Sequence, residues 1–452
     1  MRSATWVAWA ARLAVCLALA SCARYSPLPL PALAPLAESL AQLAHDGIDL
    51  GRPLSVADIA LLAVANSPDL AATRRQRGVS QAQLLQSGLL ANPSITGALL
   101  PLLAGPAASN PGGSTTLGWN AGISYDVRSL LLRPGRRREA RENGRSLDAT
   151  LLWQEWQTVA QARLLCVDIV EGDRLLTVLN RLRNLVGGRA AASRAALDRN
   201  DVTLATAAPD LAALQTARGV AFDQERIQLG RRHQLAALLG LSPDATLDLA
   251  SPPDLPDIDP GAIARTLPSL PDRRPDLAAL RFGYQAEDAR LRNAILSQFP
   301  NLTFGMVGSS DNSNVRSVGV QISLDLPIFD HGQGQIGIER ATREQLRTEY
   351  AARLATAIGQ VRAMLAEIAL LQRQLSELKR DQPGVLRIAQ AAEAALAAGN
   401  IDERSALDLI LTRFNKELEI IVLEQTRLEQ QVAIATLSGA GLPPLSVHED
   451  RP

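Results

Sequence analysis

Four histidines and three cysteines are the residues of this 452-residue chain best suited to metal or nucleophilic chemistry, and their spacing serves neither. His45, His233, His331 and His448 have no metal-spaced partner, and no Cys-x-x-Cys or Gly-x-Ser-x-Gly motif is present. No glycine-rich loop offers a phosphate cradle. The acidic cluster Asp254, Asp257 and Asp259 has donors for Ca²⁺, but its spacing fits no EF-hand loop and its proline-rich setting reads as a solvated linker. The formal net charge is zero, and the scattered arginines lack the interleaved aromatics of a single-strand binder. Neither catalysis, a cofactor, a metal site nor a nucleic-acid partner is expected.

The cysteine with a distinct chemistry is Cys22. Arg2 and Arg12 precede an apolar run, Leu13 to Ala20, so residues 1–21 read as an export signal. The run ends in Leu19-Ala20-Ser21-Cys22, which resembles the lipobox of bacterial lipoproteins, in which the cysteine is acylated as the first mature residue. Lipid attachment, palmitate included, is therefore expected at Cys22. Cys166 then has no intrachain disulfide partner and reads as a small apolar residue on a packed helix. Pro27, Pro29, Pro31 and Pro35 make the start of residues 22–53 an extended tether.

The rest of the chain reads as two copies of one unit. Pro68-Asp69-Leu70-Ala71-Ala72 recurs as Pro275-Asp276-Leu277-Ala278-Ala279, and the same 207-residue shift carries Pro93 to Pro300. Further on the shift is 199: Ile123-Ser124 becomes Ile322-Ser323, and Gly240 becomes Gly439. The missing eight residues fall near the Gly/Pro/Ser-rich stretch Gly105 to Ser114, a loop where length is cheaply varied. The expected layout is a first repeat at 54–243 with a hairpin near 93–127, a linker at 244–272, a second repeat at 273–443 with a hairpin near 300–327, and a tail at 444–452.

Each hairpin alternates with period two. Trp119, Ile123, Tyr125, Val320, Ile322 and Leu324 take one face, and Asn120, Ser124, Asp126, Gln321, Ser323 and Asp325 the other. Strands of this kind, flanked by helices that leave little for a sheet to pack on, match the lipid and lumen sides of an outer-membrane barrel. Four strands have two open edges that hydrocarbon cannot satisfy, so several protomers must close the sheet. No apolar run of 18 or more residues lies beyond the N-terminus, so a membrane-spanning helix is not expected.

A very long helix should follow each hairpin, over Arg136–Arg199 and Gln335–Ala398. At 1.5 Å per residue, about 64 residues span roughly 95 Å, which suits a coiled-coil-like body. The breaks at Asn200-Asp201-Val202-Thr203 and Gly399-Asn400-Ile401-Asp402 place Asn or Gly where a left-handed residue reverses the chain.

The duplicated helix–hairpin–helix layout, Leu270-Pro271-Asp272-Arg273-Arg274-Pro275-Asp276-Leu277, Gln298-Phe299-Pro300 and the glycines closing each copy resemble the TolC family of outer-membrane efflux proteins. The resemblance implies a mainly α fold with a small β part: a homotrimeric α-helical tunnel capped by a 12-stranded outer-membrane barrel, four strands per protomer. It implies a passive duct across periplasm and outer membrane, docked to a periplasmic adaptor and through it to an inner-membrane transporter. It also places Asn200, Asp201, Val202, Thr203, Gly399, Asn400 and Ile401 at the adaptor contact, and Asp402, Glu403 and Asp408 at a periplasmic gate. Symmetry would repeat each carboxylate as a ring, and acidic rings favour cations. The competing readings are a type I protein secretion channel and a periplasmic coiled-coil scaffold lipoprotein without a pore.

Overall fold

The computed structural model describes residues 25–45, 47–101, 117–440 and 442. Cys22 and the Gly105 to Ser114 loop lie outside the described residues. Residues 25–37 form a separate unit of exposed chain without a helix.

The second unit opens with a 3₁₀ turn at Leu40–Gln42 and then α1 (Val56–Asn66), α2 (Pro68–Arg74) and α3 (Gln76–Gly88). Ser55 starts α1 with a capping box, its hydroxyl accepting from the Asp58 amide while the Asp58 carboxylate accepts from the Ser55 amide. Then come β1 (Ser94–Leu100), β2 (Gly118–Asp126), the 72-residue α4 (Val127–Asp198) and α5 (Leu204–Leu238). Two short helices, α6 (Pro260–Thr266) and α7 (Leu270–Arg273), lead to the second copy: α8 (Pro275–Leu296), β3 (Asn301–Ser310), β4 (Arg316–Asp325), the 65-residue α9 (Gln333–Ala397) and α10 (Glu403–Ser438).

Both long helices begin sooner than the sequence indicates. Proline lacks the N–H for one helical bond, yet α4 runs through Pro134 and α9 through Pro383. Tertiary contact supplies the difference, since α4 packs against α1, α3, α5, α8 and α10. Next to Pro134, Gly135 lets α8 approach so closely that a Cβ there would lie 1.9 Å from the Asn293 amide oxygen. The segment between the copies also does more than cross over. Ile263 of α6 is buried, with Ile258 and Leu267 beside it, against Val361 and Ile368 of α9 and Ile434 of α10. Asp254 and Asp257 are exposed, and Asp259 caps α6 through the Gly261 amide at 2.8 Å.

The core is a set of thin seams between helices. One joins α4 to α10 through Val178, Ile410, Phe414 and Ile421. Cys166 sits in another with Val56 and Val170, and burial pushes its thiol up to about 12, which leaves it unreactive. Among the described residues α9 is the one helix long and apolar enough to cross a membrane by length and composition, against the expectation of none; only 22% of its most apolar stretch is buried.

Two carboxyl pairs are built into these seams. Glu287 of α8 meets Glu339 of α9, with Arg290 bonded to Glu287 and to Glu139 of α4 at 3.1 and 3.0 Å. Glu429 of α10 meets Asp168 of α4, the Gln425 amide donating to both at 2.8 Å and Arg231 of α5 lying 3.6 Å from Asp168. Burial first, and then the neighbouring carboxyl, pushes Glu287 and Glu429 up to about 7 from an ordinary 4.5. The folded chain therefore holds protons that the unfolded chain has already released above pH 4.5. Their contribution is complete below that pH and is lost as pH rises through about 7. Thermal midpoints should fall between pH 5 and 8, and the Glu287→Gln/Glu429→Gln double variant should flatten that slope. A midpoint that climbs over this window, or an unchanged slope in the variant, contradicts the assignment.

Candidate functional site

The four strands form one antiparallel sheet in the order β1-β2-β3-β4, so the two copies join through β2 and β3. Cross-strand partners in such a sheet share a face. Register aligns Ile95, Ile123, Met306 and Val320 in one row, and Tyr125, Phe304 and Ile322 in another. Leu302 pairs with Leu324 on the same side, and all these side chains except Tyr125 are substantially exposed. The opposite face carries Ser94, Ser124, Gly305 and Gln321 in one row, and Asp126, Thr303 and Ser323 in the next. Asn120 shares that face with Ser309 and Ser317, and Asp325 pairs with Asn301. The six polar positions singled out in the sequence thus lie on one side and their six apolar neighbours on the other. The polar side has apolar exceptions in Val307, between Gly122 and Gly319, and in Ala98 and Leu100 of β1, which pair with Asn120 and Gly118.

Pairing depends on a close approach at Gly305, where a Cβ would lie 2.6 Å from the Ile123 carbonyl oxygen. Hydroxyl pairs fasten the polar side: Ser94 to Ser124 at 2.7 Å and Ser309 to Ser317 at 2.8 Å. Asp126 has a second task, its carboxylate accepting from the Ser129 amide as the N-cap of α4. β1 and β4 are the sheet edges.

At the far end of the long helices both reversals use the same backbone device. Asn200 has φ 62° and Gly399 has φ 73°, the left-handed conformation that Gly adopts freely and Asn tolerates. The Asp201 amide donates to the Ala196 carbonyl at 2.9 Å, and the Asn400 amide to the Ala395 carbonyl at 2.8 Å. Arg199 pairs with Asp201 at 2.8 Å, Val202 and Ile401 are half-buried, and Thr203 N-caps α5 by position, its hydroxyl 3.1 Å from that of Thr206.

The three carboxylates proposed from sequence have separate surroundings. Asp402 is the N-cap of α10, accepting from the Ser405 amide at 2.9 Å and hydroxyl at 2.6 Å, and these bonds hold its carboxyl below the usual range. Glu403 pairs with Arg189 of α4 at 3.4 Å. Asp408 is exposed on the second turn, where its carbonyl accepts from the Thr412 hydroxyl. Capping geometry therefore belongs to Asp402. Arg189, which sequence reasoning did not single out, also bonds Asp210 of α5 at 2.8 Å, so one guanidinium joins α4, α5 and the start of α10 near the reversals. Its signal was slight: Arg189 and Ser193 are four apart on one helix face, and both bond Asp210.

Residues 267–440 match the family model described as outer membrane efflux protein. Over this stretch, which holds the second copy, the chain is similar to outer membrane efflux proteins. The chain is also similar to the multidrug resistance outer membrane protein MdtP of Escherichia coli O157:H7, 24% identical over 239 residues, 49% of this chain and 47% of MdtP. MdtP of Shigella flexneri is 25% identical over a stretch of the same length. The chain thus spans about half the length of the curated relatives it matches. The fold likeness is broader. The Campylobacter jejuni CmeC outer membrane channel superposes with TM-score 0.72 at 14% identity, covering 93% of this chain and 95% of that one. A membrane protein from Pseudomonas aeruginosa gives 0.70 at 20% identity over 94% and 100%. The Neisseria gonorrhoeae MtrE outer membrane channel in its open state gives 0.66 at 15% identity over 93% and 99%. The helix–hairpin–helix duplication around a small sheet is therefore a fold that this chain shares with solved outer membrane channels.

Proposed function

We propose that this chain is one protomer of the outer-membrane channel of a tripartite export system, a passive duct fed by an inner-membrane transporter through a periplasmic adaptor. The observation that supports it most is the sheet: one face is apolar in register across four strands, both edges are open, and helices of 72 and 65 residues leave from one end. An open edge is untenable in hydrocarbon, so copies must close the sheet. Three copies giving twelve strands is the family arrangement. The exposed apolar stretch of α9 offers the helical bodies a contact of the same kind. In this reading Asn120, Ser124, Asp126, Gln321, Ser323 and Asp325 face water, and the reversals at Asn200 to Thr203 and Gly399 to Ile401 meet the adaptor. The names of the MdtP relatives favour efflux over polypeptide secretion.

Planar-bilayer recording of the purified oligomer tests the reading. We expect step conductance that favours cations, heat-modified gel mobility, and lower cation selectivity in Asp408→Asn with oligomer yield unchanged, since exposed Asp408 caps nothing. An oligomer that neither conducts nor shifts on heating is a scaffold, and unaltered selectivity in Asp408→Asn removes that residue from the gate. The outer-membrane anchor is proposed at Cys22, where two or more acyl chains hold a protein stably. Mass spectrometry of the mature N-terminus should find an acylated cysteine; a free thiol, or cleavage elsewhere, removes the anchor alone.

A further inference from the structure

Two clefts are lined by interleaved positions on the first turns of α4, just beyond the sheet. One, of about 180 Å³, is lined mainly by apolar side chains, among them Val127, Leu131, Leu132, Phe299 and Leu302, together with Arg128, whose guanidinium donates to the Ser297 carbonyl at 3.2 Å. The next, of about 420 Å³, is lined by Arg133, Arg137, Arg138 and Arg141, with Leu130 at its edge and Glu142 at its base. Positions 130, 133, 137 and 141 follow the three- and four-residue spacing of one helix face. Glu142 bonds Arg145 through Oε1 at 3.3 Å and its buried Oε2 has no hydrogen-bond partner, so a single carboxylate lines a cleft with four guanidinium groups and leaves it net positive. Arg133 donates Nε to the Gly88 carbonyl at 2.7 Å. Arg137, Arg138 and Arg141 are exposed and have no ion-pair partner among the described residues. Three unpaired guanidinium groups on one short stretch repel one another and call for an anion from outside the fold.

Their depth says which anion. Exposed apolar side chains continue past the strand ends: Leu131 is 68% exposed, Phe299 59%, Ile328 66% and Phe329 94%. That belt extends the apolar surface about one helical turn past Asp126. Arg128, near the start of the helix, is engaged by the Ser297 carbonyl, and the arginine cleft begins with Arg133, roughly 10 Å beyond the strand end, where the headgroups of the adjoining leaflet lie when the belt sits at the edge of the hydrocarbon. We propose that the two clefts form a binding site for an anionic phospholipid of the periplasmic leaflet, one acyl chain in the apolar cleft and the phosphate among Arg133, Arg137, Arg138 and Arg141. Guanidinium forks match phosphate oxygens in pairs, and the ammonium of a zwitterionic headgroup adds a positive charge that the arginines repel, so the site selects an anionic headgroup over a zwitterionic one. This inference rests on the sheet being membrane-spanning, as proposed above.

Native mass spectrometry of the full chain in detergent tests it, with dioleoyl-phosphatidylglycerol, dioleoyl-phosphatidylethanolamine and inorganic phosphate added in turn. The expected result is phosphatidylglycerol adducts at about tenfold or more lower concentration than phosphatidylethanolamine adducts. Arg137→Gln/Arg138→Gln/Arg141→Gln should remove that preference and the corresponding lysine triple should keep most of it. Equal retention of the two lipids, or a preference that survives the glutamine triple, overturns the site. So does full displacement of the lipid by inorganic phosphate alone, which marks a free-anion site. A glutamine triple that dissociates the oligomer while lipid preference persists assigns the arginines to a neighbouring copy. Should the glutamine triple fail to fold, the wild-type competition and the lysine triple still decide. Bilayer recording of the same preparation separates the two readings: a conducting oligomer without anionic preference loses only the lipid site, whereas a chain that never inserts loses both.

Discussion

Asp276→Ala should be among the most damaging single substitutions in the helical body, at about 3–5 kcal/mol of stability. Arg274 is 3% exposed and bonds Asp276 through both ends of its fork, Nε to Oδ1 at 2.9 Å and Nη2 to Oδ2 at 2.7 Å. It also stacks 5.0 Å from the centre of the Trp153 ring of α4. Removing the carboxylate leaves a guanidinium buried without its counter-charge, since water cannot reach it. Asp69 is the matched control, because it occupies the same place in the first copy yet is exposed in the first turn of α2. Asp69→Ala should stay within about 0.5 kcal/mol. Urea titration of the helical signal measures both, and equal losses at the two positions would falsify the buried-pair argument.

The second large effect is expected in the sheet. Val320 and Gln321 are neighbours in β4, both exposed in the isolated protomer, and register sends them to opposite faces. Val320 lies in the row with Ile95, Ile123 and Met306, half-way along the strands. Val320→Arg on a lipid face near the bilayer centre should cost about 2–4 kcal/mol per protomer, repeated in every copy. The assembled, heat-modifiable oligomer should then be nearly absent from the membrane fraction. Gln321→Arg should assemble close to normally and change conductance instead. Poorer assembly of Gln321→Arg than of Val320→Arg would reverse the faces.

Several features of this molecule needed no coordinates. Local rules govern them: period-two alternation places Val320 and Gln321 on opposite faces, and a left-handed residue is needed at Asn200 and Gly399. The internal repeat likewise exposes the two-copy plan, because duplication leaves the same turn and strand residues at fixed shifts. Long-range packing decided the remainder. The pairing of β2 with β3 between the copies involves residues about 180 positions apart, and nothing in either strand names its partner. The length of α4 through Pro134 comes from the helices packed around it, which offset a locally unfavourable residue. The identical Pro-Asp-Leu-Ala-Ala segments diverge for the same reason: Ser67 caps the first, while Arg274 turns the second into a buried ion pair against Trp153. Glu287 with Glu339, Glu429 with Asp168 and the Arg189 junction are side chains brought together from different helices. A sequence determines which face a residue takes on its own element; which other element covers that face, and so which charges are buried together, exists only once the chain has folded.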